Sequence, residues 1–194
     1  MEDAPQVVTV VSGYPRSGTS MMMQMLEAGG LPVLADDVHP ADEYNARGYY
    51  EYGPALYPAS LGLGSAWVAE ARGKAVKVMA YSLQRLPCGH DYRILFMRRT
   101  VAEVVASWDK MGIVRPDCGL TAERRALALK TEYAVYEALL GLRDDFRALF
   151  LQYNDLVADP AGEAARVARF LGAPLDRKAM AAAVDPSLYH HRAG

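Results

Sequence analysis

A three-layer α/β fold, with a central parallel sheet of about five strands flanked by helices, is predicted for this 194-residue chain. Two observations predict it. Short apolar, strand-like runs alternate with helical periods from residue 7 to the C-terminal region, and no repeat, low-complexity block or change of composition marks a second unit, so residues 1–194 read as a single domain. In such a fold ligands sit at the carboxyl ends of the strands.

The first element organises the rest. Val7, Val8, Val10 and Val11 form a β-branched run suited to a strand covered on both faces. From Gly13 the chemistry becomes that of a turn, with Pro15, Ser17 and Gly18. Met21, Met22, Met25 and Leu26 then take helical spacing until Gly29 and Gly30 stop it. A loop that ends at a helix N-terminus gathers unpaired amides and the positive end of the helix dipole, which suits an anion. Gly13, Gly18 and Ser20 match a Walker A loop, but Thr19 stands where its lysine belongs, and Arg16 supplies a cation from inside the loop.

The run LPVLA at residues 31–35 is a candidate second strand, followed by a polar stretch with Asp36, Asp37 and His39. The tyrosine-, glycine- and proline-rich residues that follow have no clean period and read as a long surface loop. KAVKVMA at residues 74–80 is the third strand, with a short turn at 82–87, and YRILFM at 92–97 the fourth, running into Arg98 and Arg99. Thr100 and Glu103 form a capping box for a helix to Met111 whose inner stripe is Val101, Val104, Val105 and Trp108. Alternation along the strand sends Arg98 and Arg99 to opposite faces. Residues 112–120 are a turn-rich connection, a candidate lid over a bound ligand. The next helix starts at Thr121 and is expected to pack through Leu127, Thr131, Val135, Ala138, Leu139 and Leu142. Residues 148–153 form the last strand. Asp159 and Pro160 start a helix closed by Gly172, with Val167, Phe170 and Leu171 inward, and Asp176 caps a final short helix.

Hydrophobic residues make up 52% and charged residues 23%, the balance of a folded globule, and the net charge of −2 lacks the basic excess that nucleic acid or an anionic membrane would require. The acidic start MEDAPQ has no signal or transit character, and no apolar run approaches bilayer length, so a cytoplasmic location is expected. Cys88 and Cys118 lack metal-ligand spacing and read as ordinary thiols.

Tyr14, Pro15, Arg16, Ser17, Gly18, Thr19 and Ser20 resemble the 5′-phosphosulfate loop of sulfotransferases in its PRSGT form. The resemblance implies 3′-phosphoadenosine 5′-phosphosulfate (PAPS) as sulfuryl donor, a P-loop fold, and a donor site that includes Arg16, Ser17, Gly18, Thr19 and Ser20. Asn45, Gly48, Tyr49, Tyr50 and Glu51 are similar to the bacterial NPxGYxE element, with Ala46 in place of the proline. Glu51 is then either a base for the acceptor or a solvated loop carboxylate. KVMAYSLQRLP resembles the family strand that ends in a lysine and, two residues on, a catalytic histidine; Lys77 fits the lysine, and Met79 holds the histidine's place. The family's 3′-phosphate arginine, and the serine eight residues after it, match Arg99 and Ser107. QYNDLVADP resembles the YEDLxxDP element, which would bring Tyr153 near the adenine. The glycine-rich segment that completes the 3′-phosphate site in longer members has no match, and Arg192 is a candidate replacement beside a plain basic-tail reading of His190, His191 and Arg192.

The implied function is transfer of a sulfuryl group to a hydroxyl or amine of a small-molecule acceptor, with Arg16, Lys77 and Glu51 as the catalytic set, His39 as a second candidate base, and no metal. A nucleotide kinase is disfavoured by Thr19 at the Walker lysine and by Arg98 and Arg99 where a magnesium-holding aspartate is expected. A module that binds nucleotide or phosphate without catalysis is the third reading.

Overall fold

The computed structural model describes residues 7–36, 38–42, 45, 47–56, 66–113 and 119–188. Cys118, His190, His191, Arg192 and the middle of the 112–120 connection lie outside them. Five strands, β1 (Val7–Gly13), β2 (Val33–Leu34), β3 (Ala75–Lys77), β4 (Asp91–Arg98) and β5 (Phe146–Gln152), form one sheet in the order β2-β3-β1-β4-β5. Every pairing is parallel. β1 pairs with β4 over its whole length, from Val7 opposite Asp91 to Gly13 opposite Met97. The Gly13 turn therefore opens beside the end of β4, where Arg98 and Arg99 emerge.

Alternation along β1 and β4 divides the core in two. Val8, Val10, Tyr92, Ile94 and Phe96 face one layer, with α2 (Gly53–Leu56), α3 (Trp67–Glu70), α4 (Val101–Met111) and α5 (Ala122–Leu140) contributing to it. Val11, Leu95 and Met97 face the other, with α1 (Thr19–Ala28), α6 (Tyr153–Ala158), α7 (Pro160–Leu171) and α8 (Arg177–Ala182). Burial of both strand faces agrees with the continuous apolar runs in the sequence. Asp159 and Asp176 cap α7 and α8, their carboxylates accepting from Gly162 N–H and from the Lys178 and Ala179 amides.

Three local expectations are corrected. The third strand is shorter than residues 74–80 and turns into a 3₁₀ segment at Ala80–Arg85. The Thr100–Glu103 capping box does not form, because the Glu103 carboxylate turns to Arg99 and Asn154, while the Asn154 side-chain oxygen takes the Thr100 amide and hydroxyl. On α5 the expected packing stripe faces water, with Leu127 66% and Leu142 76% exposed. Leu129, Tyr133 and Leu140 go inward instead. Tyr133 and Tyr136 meet the ring of Tyr14 edge-on and lie against Phe96, so contacts between rings fix which face of the helix packs. None of the described helices is long and apolar enough to cross a membrane.

Candidate active site

The turn after β1 is held by its own backbone. Ser17 donates from both its amide and its hydroxyl to the Tyr14 carbonyl, at 3.1 and 2.7 Å, and is fully buried. Arg16 adopts a left-handed φ of 72°, a conformation that costs a non-glycine residue energy and persists only where the surroundings impose it. Gly18 has φ 97°, and a Cβ there would lie 2.4 Å from the Tyr153 ring, so backbone conformation and space both demand glycine. Gly18 is also the N-cap of α1 and offers no side-chain cap, which leaves the first amides of the helix for another acceptor.

β4 and α4 bring the second basic group to this turn. Arg16 Nε donates to Ser107 Oγ at 2.9 Å, and Trp108 Nε1 donates to the Pro15 carbonyl at 2.9 Å, so α4 is bonded directly to the loop. Arg99 leaves the end of β4 on the loop's side, pairs with buried Glu103 at 2.7 Å and stacks its guanidinium 4.6 Å from the Tyr153 ring centre. Arg98 takes the other face, bonded to Glu137 and lying over Phe150. Burial lowers the Arg16 pKa, and the like charge of Arg99 works in the same direction. Two cations that repel across one cavity are stabilised by an anion between them.

Lys77, at the end of β3, is only 5% exposed and donates to the Tyr49 carbonyl at 2.6 Å and to Ser20 Oγ at 3.2 Å. Burial lowers its pKa to about 8, against the opposing pull of Glu51, whose Oε1 lies 3.7 Å away. Ser20 Oγ also accepts from Asn45 Nδ2 at 3.0 Å. The second carboxylate oxygen of Glu51 contacts His39 Nδ1. The Tyr49 hydroxyl donates to Asp42 at 2.8 Å; burial, then this carboxylate, pushes the phenol up to about 12.

These groups surround a cavity of about 800 Å³, within the range of small-molecule sites. Arg16, Gly18, Thr19, Ser20, Glu51, Lys77, Arg99 and Tyr153 all line it. Ser17 is buried beneath the turn. Ser107, 1% exposed, reaches the cavity through Arg16. Met79, Leu56, Tyr81, Met111 and Ile113 add apolar surface to its lining. Sequence reasoning did not anticipate Asn45 as the partner of Ser20, the backbone of Tyr49 as the seat of Lys77, or Asp42 and Asp185 in the wall. The PRSGT loop and the GYxE run flagged both segments without showing that they touch. Arg47 bonds the Ala183 carbonyl at 3.0 Å and Asp185 at 2.8 Å, tying the loop after β2 to the segment after α8. Among the described residues no group of three or more His, Cys, Asp or Glu is placed to hold a metal ion.

PAPS would need anion contacts at two separated points and room for an adenylate. The cavity supplies Arg16 and the helix amides at the first turn, Arg99 after β4, and the Tyr153 ring beside both, so the residues fit the group.

Comparison with known proteins agrees with this architecture. The sulfotransferase domain family model matches residues 130–191. No curated protein matches the sequence at a significant level. Among solved structures, the sulfotransferase domain of the Synechococcus PCC 7002 olefin synthase superposes with a TM-score of 0.56 at 18% identity, covering 97% of this chain and 84% of that one. Sulfotransferase STF1 from Mycobacterium tuberculosis H37Rv gives 0.60 at 17% identity, over 91% and 71%. A retinol dehydratase crystallised with androsterone and the inactive cofactor PAP gives 0.50 at 18%, over 94% and 64%. The chain thus has the fold of the sulfotransferases, and residues 130–191 carry their family pattern.

Proposed function

We propose that this protein is a sulfotransferase that moves a sulfuryl group from PAPS to a hydroxyl or amine of a small-molecule acceptor. The observation that carries the reading is the bond from Arg16 to Ser107, with Arg99 in the same cavity: the phosphosulfate-type turn and the basic end of β4 meet at one site. That is the arrangement a donor with a 5′-phosphosulfate and a 3′-phosphate requires. The retinol dehydratase of similar fold was solved with PAP, which supports the same donor class.

In-line transfer of this kind asks for positioning and charge stabilisation more than covalent participation. Arg16, Lys77 and the amides at the start of α1 would neutralise charge that develops on the bridging and sulfuryl oxygens. Arg99 would take the 3′-phosphate, with Ser107 holding Arg16 in register and the Tyr153 ring set for the adenine. The acceptor would lie against the apolar lining residues, and its proton would leave through Glu51 and the imidazole it contacts. Adenosine 3′,5′-bisphosphate (PAP) is expected to raise the melting temperature, and ATP with magnesium is not. A rise with ATP and magnesium alone would overturn the proposal in favour of a nucleotide kinase.

A further inference from the structure

We infer that His39 is the catalytic base that takes the acceptor's proton and that Glu51 is its positioning residue, an inference that rests on the sulfuryl-transfer reading above. The place at the end of β3 where the resemblance leads one to expect a histidine holds Met79, whose thioether cannot serve as a base at neutral pH, yet Met79 and His39 line the same cavity. The imidazole has entered from another element, the loop after β2.

The geometry assigns the two roles. One Glu51 oxygen contacts His39 Nδ1 and the other faces the Lys77 ammonium at 3.7 Å, so the carboxylate lies between two positive or proton-donating groups. Its side chain is 14% exposed, against 46% for His39. A carboxylate at Nδ1 selects the tautomer that carries its proton there, which makes Nε2 the basic atom. Among the described residues, the charged and titratable groups near the ring include Glu51 itself, Lys77 behind it, and Tyr49, whose ring meets the imidazole edge-on and whose hydroxyl is held by Asp42.

In the step that follows, the acceptor O–H proton passes to Nε2 and an oxygen lone pair forms the new O–S bond. The bond from sulfur to the bridging oxygen breaks, and its electron pair stays on the 5′-phosphate of the departing PAP, facing Arg16 and Lys77. Glu51 stabilises the imidazolium until it releases the proton to water.

The test uses PAPS with two acceptors, benzyl alcohol and 4-nitrophenol, the second already largely ionised at pH 8. His39→Gln is expected to lower kcat with benzyl alcohol by roughly 10² to 10⁴ and with 4-nitrophenol far less, and added imidazole is expected to restore turnover to His39→Gly. Glu51→Gln is expected to cost less than His39→Gln, since it removes the group that orients the ring and not the one that takes the proton. A larger loss in Glu51→Gln than in His39→Gln, or equal losses with both acceptors, overturns the assignment. Nitrogen NMR of His39 in the whole protein needs no acceptor: the Nδ1–H tautomer is expected, shifting in Glu51→Gln, and an Nε2–H tautomer in the wild type overturns the inference. PAP stabilisation of the wild type separates the two levels. If PAP binds while these results fail, the base is wrong; if PAP does not bind, the donor reading falls first.

Discussion

The two walls of the cavity are built by different means. The turn at residues 13–20 is fixed by backbone: Ser17 bonds Tyr14, Met22 N–H bonds the Gly18 carbonyl, and Pro15 is bonded by Trp108, all over a fully packed core. The described residues of the wall from Asp36 to Gly53 join a few backbone bonds, Asp36 N–H to the Glu51 carbonyl and the Asp42–Asn45 pair, to a larger set made by side chains. Asp36 gathers the amides of Val38 and Gly53, Asn45 reaches Ser20, Tyr49 reaches Asp42, and Glu51 lies between His39 and Lys77. A backbone-locked wall suits a ligand that never changes. A wall held largely by partly exposed side-chain bonds tolerates substitution more readily, except at Asn45, which is bonded to Ser20 of the turn.

That contrast can be broken most severely at Gly18. Gly18→Ala forces a left-handed alanine and drives its Cβ into Tyr153, and a loss of about 3 kcal/mol in urea unfolding is expected from strain plus overpacking, together with loss of PAP binding by calorimetry. Unchanged stability would mean that the turn is not rigid and the contrast is false.

Lys77 bridges the walls, and its titration sharpens the comparison. Its pKa falls from 10.5 in the unfolded chain to about 8 in the fold. Between those values the unfolded chain binds more protons, so folding stability rises with pH across that window. The positive charge beside the turn is lost as pH rises through about 8. PAP affinity is therefore expected to fall up to about tenfold between pH 7 and 9, while above pH 8 the protein becomes harder to unfold. Lys77→Met should flatten both curves, and parallel rather than opposed trends in the wild type would contradict the placement.

The smallest effect is expected at Tyr49. Tyr49→Phe removes the bond to Asp42 but keeps the carbonyl that seats Lys77. A loss of about 1 kcal/mol in stability, with PAP affinity unchanged, is the expected result. A clear loss of PAP affinity would show that the two walls are one unit.

The same division decided what could be read in advance. β1, the turn and α1 were legible because one apolar run, one set of glycines and one helical period adjoin in sequence. The opposite directions of Arg98 and Arg99 followed from strand alternation alone. The His39–Glu51 contact joins residues twelve apart in a segment with no period, and the Asn154 cap on Thr100 comes from fifty-four residues away. On α5 two stripes were available, one through Leu127 and one through Leu129. Tyr133 and Tyr136 decide for the second by meeting Tyr14 and Phe96, contacts that depend on the sheet already being in place.

Arg47, on the loop after β2, is joined to the segment after α8 by an ion pair with Asp185 and a hydrogen bond to the Ala183 carbonyl, both side chains of the pair partly open to water. Exposed pairs of that kind contribute no more than about 1 kcal/mol and weaken as salt is added. The loop after β2 is thus tied to the segment after α8 by contacts worth no more than a few times thermal energy, and the tie loosens as ionic strength rises.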